Sequence, residues 1–203
     1  KSMSYIVAVH IPIAGIALLP VLLGWPVMLF PLHIAFLELV IDPACSMVFE
    51  NEPAEGDVMQ HPPRDARAQL FAGRTLLWPL LQGAGVLLIA VVAFLWSRTH
   101  LSEPATRAFV FVVLVVGNMA LILSNRSSSQ PVWATLATPN RTLWIVMALA
   151  LTMLALAVYV PWLAKLFSFA ALTPASAAVA VLAGLSGLVW FEILRRMQML
   201  RPL

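Results

Sequence analysis

Six stretches of the chain are long, apolar and almost free of charge: residues 4–24, 27–49, 76–96, 107–123, 143–162 and 173–193. Each has about the 20 residues that an α-helix needs to cross a hydrocarbon core. Only Trp25-Pro26 parts the first two, which predicts a tight helical hairpin. The long polar stretch, 50–74, is rich in Pro, Asp, Glu and Arg. No repeat with a period of 20–50 residues is visible. The pattern predicts an all-α, polytopic membrane protein of six transmembrane helices with no β-sheet. It divides into a hairpin (1–49), a polar loop (50–74) and a four-helix bundle (75–203). The hairpin carries polar and Pro residues inside its apolar runs, whereas the last four runs are plain Leu, Val and Ala helices. Gly83, Gly85, Gly184 and Gly187 are small enough to let such helices approach closely.

Composition narrows the class further. Of 203 residues, 62% are hydrophobic and 10% charged, 12 Lys+Arg and 9 Asp+Glu. A soluble domain would carry about 25% charged residues. Too few charges are present to coat a globule in water, which excludes an ordinary soluble domain, a disordered chain and a nucleic-acid binder. The partner of most of this surface is the lipid bilayer. One Cys excludes a disulfide framework and a Cys-cluster metal site. With six spans both termini share one side. That side then holds Lys1, Arg64, Arg67, Arg74, Arg126, Arg141, Arg195, Arg196 and Arg201, against Arg98, Arg107 and Lys165 on the other. The bias makes the shared side cytoplasmic, in a multi-pass protein of the cell membrane. A start at Lys1, almost inside an apolar run, reads as a piece of a longer polypeptide.

Two acids lie at membrane depth. Glu38 and Asp42 are spaced i, i+4, so their carboxylates share one helix face about 6 Å apart along the axis. Each costs about 2.5–3.5 kcal/mol at a helix centre, and two together repel unless a cation or proton lies between them. Protonated packing acids are one reading and a cation or proton site is the other. Pro43 favours the second, because it has no N–H and its ring clashes with the carbonyl of Leu39. That frees a carbonyl beside two carboxylates, the ligand type hard cations prefer. In the first span Pro12 would free the carbonyl of Ala8 in the same way, and His10 stands two residues before it. Pro43 and Pro12 are thus predicted points of helix unwinding, and His10 a third member of the site. Asn118 is the amide well inside the later spans, a candidate ligand or an interhelical hydrogen-bonding group. His33 reads as interfacial, His61 and His100 as solvated, Cys45 as a small buried apolar residue. Glu50 and Glu52 read as solvated, and Glu192 as a surface ion pair with Arg195 and Arg196.

The run Pro31-Leu32-His33-Ile34-Ala35-Phe36-Leu37-Glu38-Leu39-Val40-Ile41-Asp42 resembles the sixth membrane helix of type-II P-type cation ATPases. The following Asp57-Val58-Met59-Gln60-His61-Pro62-Pro63-Arg64 resembles their D-x-M-x-x-P-P-R signature in the cytoplasmic loop between helices six and seven. In layout the whole chain is similar to helices five to ten of bacterial members. The resemblance implies ATP-driven cation transport, with the ion site among helices four, five, six and eight. By position Asp42 falls on the family's Asp ligand, Glu38 and His10 on Asn positions of calcium pumps, and Asn118 on a helix-eight Glu. Ile13 and Ile41 replace two further calcium-pump ligands, so the resemblance implies at most one divalent site, for an ion such as calcium. A proton or a monovalent ion stays open, and the His10 imidazole is able to carry a proton.

The family's phosphorylation sequence, nucleotide-binding domain, actuator motif and helix-four motif are not found in this sequence. This chain by itself is therefore expected to bind no cofactor beyond the transported cation and not to hydrolyse ATP. ATP and Mg belong to the parent pump. The expected partner is the N-terminal part of that pump, and the truncated bundle is expected to form artificial homo-oligomers. A complete ion- or proton-coupled secondary transporter and a non-transporting membrane assembly subunit are the alternatives. Against the transporter stands the confinement of interrupted helices to one third of the chain.

Overall fold

The computed structural model describes residues 2–43, 47–52, 73–127 and 131–199, and every regular element among them is helical. The helices are α1 (Ser2–Leu23), α2 (Pro31–Pro43), α3 (Gly73–His100), α4 (Glu103–Asn125), α5 (Val132–Leu136), α6 (Arg141–Tyr159), α7 (Pro161–Leu166), α8 (Pro174–Leu185) and α9 (Gly187–Met199). Five stretches are long and apolar enough to cross a bilayer: α1, α3, α4, α6 and the α8–α9 pair. The chain is a multi-pass membrane protein, and its centre is α4. That helix is buried almost end to end and packs against α1, α3, α6, α8 and α9. Such a helix reads as apolar all round in sequence, because it has no solvent face.

Element boundaries follow local chemistry. Helix α1 stops at Gly24, whose φ of +66° is open to glycine. There the Trp25 N–H returns to the Pro20 carbonyl at 2.9 Å, closing the helix end. Helix α6 stops before Pro161, which pushes Val160 into an extended conformation. It starts at an Asn140 cap whose Oδ1 accepts from the Leu143 N–H at 2.9 Å.

Two expectations about the spans are corrected. The second predicted span, 27–49, opens as helix at Pro31 rather than at residue 27, and α2 runs over Pro31–Pro43, 13 residues or about 20 Å. Pro31 opens that helix, where its missing N–H has no helical acceptor to lose. Residues 47–52 pass from a helical segment into a turn. The last span passes from α8 into α9 through Ser186, whose φ of −59° and ψ of −22° are helical, and its 24 residues are the plain helix expected. And α1 stays helical through Pro12, so the unwinding expected there is absent. Losing one hydrogen bond does not break α1, because its buried face is clamped against α3.

That clamp has a narrow seat at Gly83. A Cβ built there would stand 2.5 Å from the Ala8 carbonyl oxygen and 2.8 Å from Ile11 Cβ. The carbonyl that Pro12 leaves without its helical donor thus rests against the bare Cα of α3. Gly83→Val is expected to force the helices apart at a cost of about 1–3 kcal/mol. The measurement is thermal unfolding of the purified chain in detergent. A melting temperature equal to wild type would show that the seat is not tight.

Candidate cation site

His10 on α1 and Glu38 on α2 face one another across the hairpin, with His10 Nε2 3.6 Å from Glu38 Oε1. The other ring nitrogen, Nδ1, lies 2.8 Å from the Ile6 carbonyl and is oriented by it. With Nδ1–H donating there, Nε2 is the atom presented to the carboxylate. Both side chains are half open, 50% and 40% exposed, on a helix pair that is otherwise apolar. Leu39, next to Glu38, is also exposed. Its carbonyl lacks an i+4 donor, because residue 43 is proline. The backbone of Asp42 belongs to α2; its side chain lies outside what the structure describes, as do Cys45, His61 and the run Asp57–Arg64.

Asn118 sits on α4, 1% exposed, and neither Nδ2 nor Oδ1 has a hydrogen-bond partner. An unsatisfied buried amide costs about 1–3 kcal/mol, so it calls for an explanation. Its position supplies one. Phe111 stands seven residues earlier on the same face of α4, and its ring meets His33 and Phe36 of α2, at 5.2 and 5.3 Å between centroids. Helices α2 and α4 run in the same direction. Asn118 is therefore about 10.5 Å further along the face that looks toward α2, level with residues 40–43. The orphaned amide stands at the height of Asp42.

Of the other candidates, Ala8 is displaced. Its carbonyl packs on Gly83 of α3, and Ala8 is fully buried while His10 is exposed on the opposite side of α1. A separation of two residues is 200° of helix turn, so the Ala8 carbonyl and the His10 ring do not converge. Among the described residues no three of His, Cys, Asp and Glu gather closely enough to hold a metal ion. What meets among the described residues is a carboxylate with an imidazole beside a proline-freed carbonyl, whereas the Asn118 amide faces the side of α2 that carries Phe36, 200° of helix turn from Glu38.

Two polar clusters lie beyond this region, one at each end of α2. At the hairpin end, His33 is fully buried rather than interfacial. The Phe30 N–H donates to its Nδ1 at 2.8 Å, so Nε2 carries the proton and donates to the Phe167 carbonyl at 2.9 Å. Phe30, Phe111, Phe167 and Phe169 surround the ring. Arg107, counted as a loop charge from sequence, is 5% exposed. It donates to the carbonyls of Val27 and Ser168, pairs with Glu103, and lies 4.8 Å over the Phe30 ring. Ser168 holds a φ of 53°, unusual for a residue with a side chain, and this turns its carbonyl toward Arg107.

At the other end Glu52 is buried, not solvated. Its side chain is 7% exposed and pairs with a fully buried Arg126 at 2.9 Å. Arg126 also donates to the Thr135 and Thr138 carbonyls, at 2.7 and 3.0 Å. Asn140 Nδ2 reaches Glu52 Oε2 at 2.8 Å and the Val48 carbonyl at 3.2 Å. Sequence offered one local signal here, the Asn before an apolar run that marks a helix cap. The ion pair joins residues 74 positions apart, which no local pattern shows. Glu192 does pair with Arg195 and Arg196, as its spacing predicted.

Comparison with known proteins gives the family. A family model described as "Cation transporting ATPase, C-terminus" matches residues 26–197. The chain is 25% identical over 194 residues to calcium-transporting ATPase 1 of Bacillus cereus, covering 87% of this chain and 22% of that protein. It is 25% identical over 179 residues to a calcium-transporting ATPase of Bacillus subtilis, covering 86% and 20%. A calcium-transporting ATPase 1 of Lactococcus lactis shows 25% identity over 172 residues, covering 84% and 19%. The chain thus spans about one fifth of the length of these relatives. With the family model matching well over half of its residues, the chain belongs to the cation-transporting ATPase C-terminal family.

Proposed function

We propose that this chain is the membrane-embedded cation-binding and translocation segment of an ATP-driven cation pump. Glu38, Asp42, Asn118 and the Leu39 carbonyl are its ligand set, and His10 is the titratable neighbour of Glu38. The observation that carries the reading is the meeting of Glu38 with His10 across two membrane-depth helices, with the unpartnered Asn118 amide at the height of Asp42 as a separate feature. A cation beside Glu38 would be met by carboxylate and by the freed Leu39 carbonyl, and a shift of α2 that brought Asn118 in would add an amide oxygen, since hard cations take carboxylate, amide and carbonyl oxygens. A calcium-like divalent ion fits that set, and the similar proteins of known name are calcium-transporting ATPases. The half-open exposure of His10 and Glu38 fits a site completed by a further element, because charged groups facing lipid are costly. The remaining four fifths of the relatives' length has room for that element and for the groups that phosphoryl transfer requires. In this reading both termini and the 50–74 loop are cytoplasmic.

Calcium binding to the purified chain in lipid nanodiscs tests the site. Wild type is expected to bind saturably, and Glu38→Gln and Asp42→Asn to weaken binding at least about tenfold, some 1.4 kcal/mol or more. Equal binding by wild type and both variants, or no binding of calcium, manganese, sodium or potassium by wild type, would sink the assignment.

A further inference from the structure

We infer that Glu52, with Arg126 and Asn140, forms a positioning bridge for the cation site, an inference that rests on the site reading above. The two halves of that site belong to different helices, the acids to α2 and the amide to α4. Their separation must be held to a fraction of an ångström for both to reach one ion. Helix α2 is poorly equipped to hold it. It is 13 residues long, ends in proline, and no helical hydrogen bond runs from Pro43 back to Leu39.

What holds the element is found at its two ends. At the hairpin end Phe36 and His33 lock against Phe111 of α4. At the other end the segment at 47–52 is fastened by side chains. Asn140 Nδ2 donates to the Val48 carbonyl and to Glu52 Oε2. The same Oε2 accepts from Arg126 Nε. Arg126 is the residue that caps α4, eight positions after Asn118. Glu52 thus ties the chain just beyond Asp42 to the end of the helix that carries the amide. The site lies between two fasteners, one aromatic and one ionic.

The bridge is rigid because each member is committed. All three guanidinium nitrogens of Arg126 have an acceptor, two of them carbonyls of the loop between α4 and α6. Asn140 is spent on both sides, its amide on the turn and its oxygen on the Leu143 N–H of α6. None of the three touches the proposed ion, so their role is to position and not to ligate.

The test is calcium binding to the full chain in nanodiscs, at a temperature where every variant remains folded and monodisperse. Glu52→Gln keeps a neutral acceptor for both donors, and is expected to weaken calcium binding about threefold. Glu52→Ala removes the bridge and is expected to weaken it at least about tenfold. Trp190→Phe is the control. It deletes the 3.0 Å indole hydrogen bond to the Leu81 carbonyl, between α9 and α3 and away from the site, lowering the melting temperature. Its calcium affinity is expected to match wild type, which a general loss of stability would not allow. Wild-type affinity in Glu52→Ala, or an equal loss in Trp190→Phe, overturns the bridge while the site reading stands. Failure of the wild-type chain to bind calcium, manganese, sodium or potassium overturns the site reading, and the bridge with it.

Discussion

Arg126→Met is expected to lower the melting temperature of the purified chain by roughly 10 °C, among the largest effects of any single substitution here. Arg126 is fully buried, and removing it leaves the Glu52 carboxylate, 7% exposed, without its counter-charge. It also orphans the carbonyls of Thr135 and Thr138. Breaking one side of a buried, hydrogen-bonded pair costs about 3–5 kcal/mol, more than the pair itself contributes. In a chain of this size each kcal/mol moves the midpoint by about 2–4 °C. The double variant Glu52→Leu with Arg126→Met removes the stranded charge and is expected to recover part of the loss. Thermal unfolding followed by tryptophan fluorescence in detergent measures both. A single variant that melts within about 2 °C of wild type would mean that water reaches Glu52 and the pair is not sealed.

Arg107→Met should loosen the opposite end of the bundle. The guanidinium gathers the Val27 carbonyl from the hairpin, the Ser168 carbonyl from the loop before α8, and Glu103 from its own helix. Methionine keeps much of the packing and supplies no donor. Two carbonyls then lose a charge-assisted partner, at about 1–3 kcal/mol each. The stacking on Phe30 is lost as well, at about 1 kcal/mol. Ser168 has a second reason to move, since its left-handed backbone is held by the contact that the mutation deletes. The expected result is a melting temperature about 8 °C lower, with faster amide hydrogen exchange concentrated at 24–31 and 167–172. Exchange that rises uniformly over all helices would show instead that Arg107 supports the whole bundle and not this junction.

The two predictions concern the ends of α2, and both clusters escaped the sequence for one reason. A buried charge is legible only through its partner, and the partners lie 74 residues away for Arg126 and 80 and 61 residues away for Arg107. In a linear reading Glu52, Arg107 and His33 resemble ordinary solvated or interfacial groups, since each lies near the end of an apolar run. The carbonyls that receive them come from loops whose conformation the run lengths do not encode. Pro12 shows the converse error. Its chemistry was read correctly, but whether a lost hydrogen bond unwinds a helix depends on what presses against that turn, here Gly83 of α3.

The sequence by itself determined the solvent, the helical class, the approximate spans and the family. It also singled out Glu38, Asp42, His10 and Asn118, because in a chain with so few charges a polar group at membrane depth stands out against its cost of insertion. Only the tertiary structure decided which of these meet. It set His10 against Glu38, brought the Asn118 face around to α2 through the contact of Phe36 with Phe111, turned the Ala8 carbonyl away, and buried two arginines that had been counted as loop charges. The division has a simple cause. Insertion into lipid is governed by the side chains of a single segment, one helix at a time. Convergence on a site is governed by the rotation and height of helices relative to one another, which side chains distant in sequence settle together.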